Sequence, residues 1–274
     1  MNIAALQLST LPMSKAKLDY YLMICKKRDI SLVLLGEYNL NSFFKELEKI
    51  PKSMIKEQSK HKIRVLRELS NQYQITVVAP IVRFKKDKIY KCIARFTPRA
   101  TYYKKQQYLI NYKHWNEEKF FDNELEYDYT PMIFYHNGLK VAALNGFELH
   151  FDEIWLKILK KRVDLVLLPT VSTFGSRKRW AELIKIRAFL NGTYILRANR
   201  IGEFTDKDIS WKFYGESFLA TPSGELQYIL GQKEEMLIAG IDKNIPKLAK
   251  REWGFVQQMQ KREDLYGRYY DEIQ

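Results

Sequence analysis

The stretch SLVLLGE, Ser31–Glu37, decides how the chain is read. Ser31–Leu35 is a continuous apolar run, bounded by charge before it and by Gly36 after it. A strand buried on both faces has this form, and such strands belong to parallel sheets with helices on their surfaces. The flanking sequence supplies those helices. Leu18, Tyr21, Leu22 and Cys25 fall at helical spacing on one side, and Ile55, Ile63, Leu66, Leu69 and Tyr73 on the other. Outside them lie two more strand-like runs, Asn2–Leu8 and Ile75–Val82.

The pattern continues to the C-terminus. A turn at Lys85–Lys88 joins Ile75–Val82 to a strand over Ile89–Phe96, and TYYKK (Thr101–Lys105) ends a further strand. Pro131–Tyr135 and Leu139–Asn145 flank His136-Asn137-Gly138, an Asn-Gly hairpin signal. Phe151, Ile154, Trp155, Ile158 and Leu159 mark one helix face. Trp180, Leu183, Ile184 and Ala188 mark another, stopped by Asn191-Gly192. Asp164–Leu168, Thr193–Ala198, Ser217–Ala220, Leu226–Leu230 and Met236–Ile241 read as strands. No linker or repeat divides the series. The expectation is one α/β domain over residues 1–242, with mixed sheets covered by helices. Residues 243–274 form a polar extension carrying Trp253, Phe255, Leu265, Tyr266, Tyr269 and Tyr270, suited either to a partner surface or to its own domain.

The chain has 274 residues and a formal net charge of +14. No apolar run reaches the roughly 18 residues a membrane span needs, and the N-terminus lacks the basic start of a signal peptide. Cys25 and Cys92 are too few for a disulfide framework or a zinc cluster. A soluble cytoplasmic protein with no metal and no cofactor is expected. Residues 49–115 carry 17 basic side chains against Glu57, Glu68 and Asp87, the whole excess. That bias suits a solvated face better than a nucleic-acid surface, because no RNA- or DNA-binding motif accompanies it.

Motif scanning finds no Gly-rich phosphate loop, no GxSxG turn and no metal spacing among His61, His114, His136 and His150. Strand ends are more informative, since open α/β sheets bind ligands at the carboxyl ends of their strands. Glu37 follows SLVLL, Lys104 and Lys105 end TYYKK, and Gly146 ends KVAALN just before a helix.

In order, these segments resemble the nitrilase, or carbon–nitrogen hydrolase, superfamily, to about residue 242. IAALQLS looks like its first strand. LVLLGEYNL resembles its strand-then-Pro-Glu segment, with Glu37 in the place of the general base. YYKKQQYL resembles its Tyr-x-Lys block, which puts Lys105, or alternatively Lys104, in the place of the catalytic lysine. In NYKHWNEEKFF, Glu117 matches the supporting glutamate. LLPTVSTF, which contains Thr170, RWAELIKIRAFLNGTYILRANRIG and YGESFLATPSGEL match later blocks. The resemblance implies a four-layer α-β-β-α sandwich and a homodimer or larger homo-oligomer. It also implies a Glu-Lys-Cys site for an amide- or nitrile-like small molecule, with Phe147, Glu148 and Thr170 beside it.

One departure stands out. The family's Cys-Tyr-Asp-x-Arg-Phe-Pro-Glu turn corresponds to Gly146-Phe147-Glu148-Leu149-His150-Phe151-Asp152-Glu153, so glycine replaces the nucleophile. Family members attack an amide or nitrile carbon with a thiolate while a glutamate moves protons and a lysine stabilises the oxyanion. Glycine offers no nucleophile, though it suits a turn with positive φ. Three functions remain: a catalytically impaired member that keeps a ligand pocket or scaffold role, a hydrolase that activates water with Glu37 and Lys105, or a basic nucleic-acid or membrane-surface binder. The first accounts best for Gly146.

Overall fold

The computed structural model describes residues 1–206 and 209–262. Its first half runs β1 (Asn2–Gln7), α1 (Ala16–Lys27), β2 (Ile30–Leu35), α2 (Phe44–Leu47), α3 (Lys52–Tyr73), β3 (Thr76–Lys85), β4 (Lys88–Phe96) and β5 (Thr101–Lys105). A short ribbon, β6 (Asn111–Tyr112) and β7 (Trp115–Asn116), leads to β8 (Met132–His136) and β9 (Leu139–Ala143). The second half continues with α4 (Asp152–Lys160), β10 (Leu165–Thr170), α5 (Arg177–Asn191) and β11 (Tyr194–Asn199). A hairpin of β12 (Ile201–Asp206) and β13 (Ile209–Tyr214) follows, then β14 (Phe218–Ala220), β15 (Leu226–Gln227), β16 (Glu235–Gly240) and α6 (Asn244–Trp253).

Two six-stranded sheets result, ordered β16-β1-β2-β3-β4-β5 and β15-β14-β11-β10-β9-β8. The central strands β1, β2 and β3 are parallel, as are β9, β10 and β11. Strand alternation sorts the side chains. Ile3, Ala5, Leu32 and Leu34 of one sheet meet Val141, Leu165, Leu167 and Leu196 of the other. Ala4, Val33 and Leu35 face outward onto Leu18 and Leu22 of α1 and Leu66 and Leu69 of α3. On the far side, Val166, Leu168 and Ile195 meet Ile154, Trp155 and Ile158 of α4 and Ile184 and Ala188 of α5. This is the four-layer α-β-β-α sandwich. Truncating one of its central leucines, such as Leu34→Ala, costs about 2–5 kcal/mol. Helix α5 stops at Gly192, whose φ of 53° is the left-handed C-terminal cap read from Asn191-Gly192.

The apolar faces of α4 and α5 are consumed by their own sheet, and Leu156, Ile186 and Leu190 are left exposed on the outer surface. Of Leu226–Leu230 only Leu226–Gln227 pairs as strand. The β12–β13 hairpin was not anticipated; its Trp211 and Phe213 pack against Phe43 at 5.9 and 4.9 Å between centroids. In the C-terminal extension, Trp253 and Phe255 fold back onto Phe189, at 4.9 and 5.7 Å. Leu265, Tyr266, Tyr269 and Tyr270 lie outside the described residues.

Candidate active site

Glu37 leaves the carboxyl end of β2, and its N–H donates to the Thr170 carbonyl at the end of β10 at 3.3 Å. This bond ties the two sheets together where their strands end. The Glu37 carboxylate is buried and bidentate in use. Oε1 accepts the Gly146 N–H at 2.6 Å, and Oε2 lies 2.9 Å from an ammonium. That ammonium belongs to Lys91 of β4.

Lys91 also donates to both oxygens of Glu117, at 2.9 and 3.0 Å, and lies 4.9 Å from the centre of the Tyr38 ring. Glu117 further accepts the Tyr38 hydroxyl at 2.5 Å and the Trp115 indole N–H at 3.2 Å. All three charged side chains are 3% exposed or less. Burial works against the charge of Lys91, but its two carboxylate neighbours prevail and hold the ammonium above its ordinary pKa. Burial pushes the Glu37 carboxyl up, with Lys91 opposing that shift. Two acids and one base, fully desolvated, make a closed ion cluster.

Glu37 and Glu117 therefore converge, and Lys105 and Lys104 do not join them. The reason is strand alternation. Lys91 shares the inter-sheet face of β4 with Ile93, whereas Lys105 pairs with Cys92 and so faces the other way. Its ammonium rests 4.6 Å from the Tyr90 ring centre. Lys104 is on the inner face but bonds Glu126 at 2.6 Å. The position opposite Lys91, where Gln106 donates its N–H to the Lys91 carbonyl, holds a buried amide. The overlooked sequence signal was Lys91 itself, a charge between Ile89 and Ile93 on a buried face.

Gly146 opens a 3-10 turn over Gly146–His150, and its φ is not left-handed. Backbone freedom is thus not why glycine fits. Space is. A Cβ here would lie 2.8 Å from Glu37 Oε1, 2.8 Å from the Pro169 carbonyl and 3.1 Å from Thr170 Cγ2. Cys25 and Cys92 are buried elsewhere, and burial pushes both thiols up to about 12.

The other anticipated residues divide. Thr170 is structural wiring: its hydroxyl donates to Asn199 Oδ1 at 2.8 Å and accepts from Arg197 Nε at 3.1 Å. Glu148 accepts the Gln107 and Asn145 N–H groups at 2.7 and 2.9 Å, and burial raises its carboxyl to about 7. Phe147 lines a cavity of about 430 Å³, with Tyr112, Trp115, Trp180 and Trp211 on its other walls. Trp115 belongs both to this cavity and to Glu117, so its indole is the partition between open space and the sealed cluster. Among the described residues, no group of three or more His, Cys, Asp or Glu side chains is placed to hold a metal. No described helix is long and apolar enough to cross a membrane.

A two-sheet sandwich with a glutamate, a lysine and a second glutamate gathered at its strand ends defines a nitrilase-type architecture. The chain belongs to the carbon–nitrogen hydrolase family, whose pattern matches residues 3–250. It is similar to N-carbamoylputrescine amidase of Solanum lycopersicum, with 36% identity over 164 residues, 55% of this chain and 53% of that protein. The corresponding amidase of Solanum tuberosum is 27% identical over the same shares. The chain spans about half the length of the curated relatives it matches. Among solved structures, a carbon–nitrogen hydrolase from Helicobacter pylori G27 has a TM-score of 0.82 and 18% identity, covering 97% of this chain and 98% of that one. A cysteine-to-alanine variant of the Nesterenkonia sp. AN1 amidase in complex with butyramide has a TM-score of 0.72 and 18% identity, covering 93% and 95%. At that identity the likeness speaks for the fold.

Proposed function

We propose that this carbon–nitrogen hydrolase family member binds a small amide-like molecule without hydrolysing it. The observation that carries the reading is the turn at Gly146. The nucleophile's position has no side chain, and the Glu37 carboxylate lies 2.6 Å from the backbone N–H there. A proton-moving glutamate that is hydrogen-bonded to the turn and ion-paired to Lys91 has neither a thiol to activate nor an acyl-enzyme to resolve. The cavity-lining serines do not replace it: Ser172 accepts from Arg197 at 3.0 Å, and Ser176 donates to the Thr173 carbonyl at 2.9 Å. In this reading Glu37, Lys91 and Glu117 keep the strand ends together, and the cavity outside Trp115 receives the ligand.

Ammonia release from butyramide, N-carbamoylputrescine and simple nitriles tests it. No release above the protein-free rate is expected, and turnover at about 1 s⁻¹ or faster refutes it. We also propose that two copies pair through the outer faces of α4 and α5, where Leu156, Ile186 and Leu190 are each more than 40% exposed. Light scattering at micromolar concentration should give at least twice the chain mass; a monomer refutes the pairing.

A further inference from the structure

The cavity outside Trp115 has a chemical bias that goes beyond the ligand-binding reading on which it rests. Its walls are aromatic: Tyr112, Trp115, Phe147, Trp180 and Trp211. Its charged lining is one-sided: Arg179 is accompanied by the His114 and His150 imidazoles, with no carboxylate among the described lining residues.

The Arg179 guanidinium has donor capacity to spare. Arg179 donates to the Gly175 carbonyl at 2.9 Å and has no carboxylate partner among the described residues. His150 Nδ1 donates to the Phe147 carbonyl at 3.0 Å, so Nε2 of the neutral ring is an acceptor that can take a hydrogen bond from a ligand but not give one. Acids near the lining in sequence are engaged elsewhere: Glu117 with Lys91, Glu148 with the Gln107 and Asn145 N–H groups, Asp152 with Arg187, Glu153 with the Tyr108 hydroxyl, and Glu182 with Lys185. A cationic ligand would therefore meet only like or neutral charge. An anion would meet a planar guanidinium suited to carboxylate geometry.

We propose that this cavity binds a small anion bearing an aromatic ring, with the ring against the tryptophan walls and the carboxylate at Arg179. Flat walls favour a planar group, since offset and edge-to-face ring contacts add to simple burial. Arg179 is exposed, so its contribution is selectivity more than raw affinity.

Three probes of equal length and one ring separate the possibilities: phenylacetate, phenylacetamide and 2-phenylethylamine, titrated at pH 7.5 against tryptophan fluorescence. Phenylacetate should bind about 3- to 10-fold tighter than the amide, within what one partly solvated charge contact supplies, and the amine weakest. Arg179→Gln should bring the acid and amide affinities together while moving the amide's Kd less than about twofold. An amine that binds as tightly as the acid, an acid preference unchanged in Arg179→Gln, or no binding of any probe up to about 10 mM overturns the proposal. Ammonia measured in the phenylacetamide samples reports separately on turnover. Its release would refute the non-hydrolytic reading and leave the order of affinities standing.

Discussion

Replacing Lys91 by methionine keeps most of the side chain's volume and removes only its charge. In the native cluster that charge sits 2.9 Å from Glu37 and from Glu117, with all three groups buried. Removing one partner of a buried ion pair leaves uncompensated charge in a low-dielectric interior, which costs about 3–5 kcal/mol. Here two carboxylates lose the same cation, so the upper half of that range is expected near pH 7. The pH dependence has a definite sign. Lys91 opposes the rise that burial imposes on Glu37, so without it that carboxyl is pushed further up, and a group raised on folding binds protons in the folded state. The deficit should shrink as pH falls from 7 towards 5. Urea unfolding of Lys91→Met and of Lys105→Met at both pH values provides the comparison. Lys105, whose ammonium lies 4.6 Å from the Tyr90 ring centre and outside the cluster, should cost about 1 kcal/mol or less. A Lys91→Met loss below 1 kcal/mol, or one smaller than that of Lys105→Met, would refute the assignment of the cluster.

Gly146→Ala should destabilise by about 1–3 kcal/mol, as overpacking does, because its Cβ meets the Pro169 carbonyl and Glu37 at 2.8 Å. Gly175→Ala, with open space at its Cβ, should stay within about 0.5 kcal/mol in the same denaturation assay. Glu148 is raised to about 7 on folding, so it should withdraw stability on the order of 2–3 kcal/mol as pH rises from 4.5 to 7. Glu148→Gln should flatten that part of the stability–pH curve; an unchanged slope contradicts the assignment. Cys25 and Cys92 should resist a thiol reagent at pH 7 until denaturant is added, since both thiols are pushed up to about 12. Rapid labelling of the native protein would show the interior to be more open than described.

The sequence was most legible where one physical cause acted alone. Ser31–Leu35 lies between two apolar surfaces, so nearly every position had to be apolar and its strand character was plain. Gly192 was readable because a helix end needs a left-handed residue. Glu37 and Glu117 carried motif context. Lys91 lacked such a motif, and its neighbours Lys88, Arg95 and Lys104 hid it within a basic stretch. Only the pairing of β4 with β5 shows which of those charges faces inward. The β12–β13 hairpin escaped for a different reason. Its first strand alternates exposed and half-buried positions, and its apolar partner is Phe43, about 160 positions earlier in the chain.

Glycine at 146 and the inward lysine at 91 form one arrangement. Without a Cβ at Gly146, Glu37 Oε1 can approach the backbone N–H to 2.6 Å. That approach commits one oxygen to the turn and leaves Oε2 for Lys91, whose remaining donors are satisfied by Glu117. Glu117 is in turn held by Tyr38 and by Trp115, the same indole that walls the outer cavity. Each polar atom in this chain answers the next, so the cluster satisfies its own hydrogen-bonding requirement with no substrate atom needed to complete it. A site organised for nucleophilic attack leaves a donor or acceptor open for the reacting group. Outside Trp115, the Arg179 guanidinium keeps donors that no described carboxylate takes.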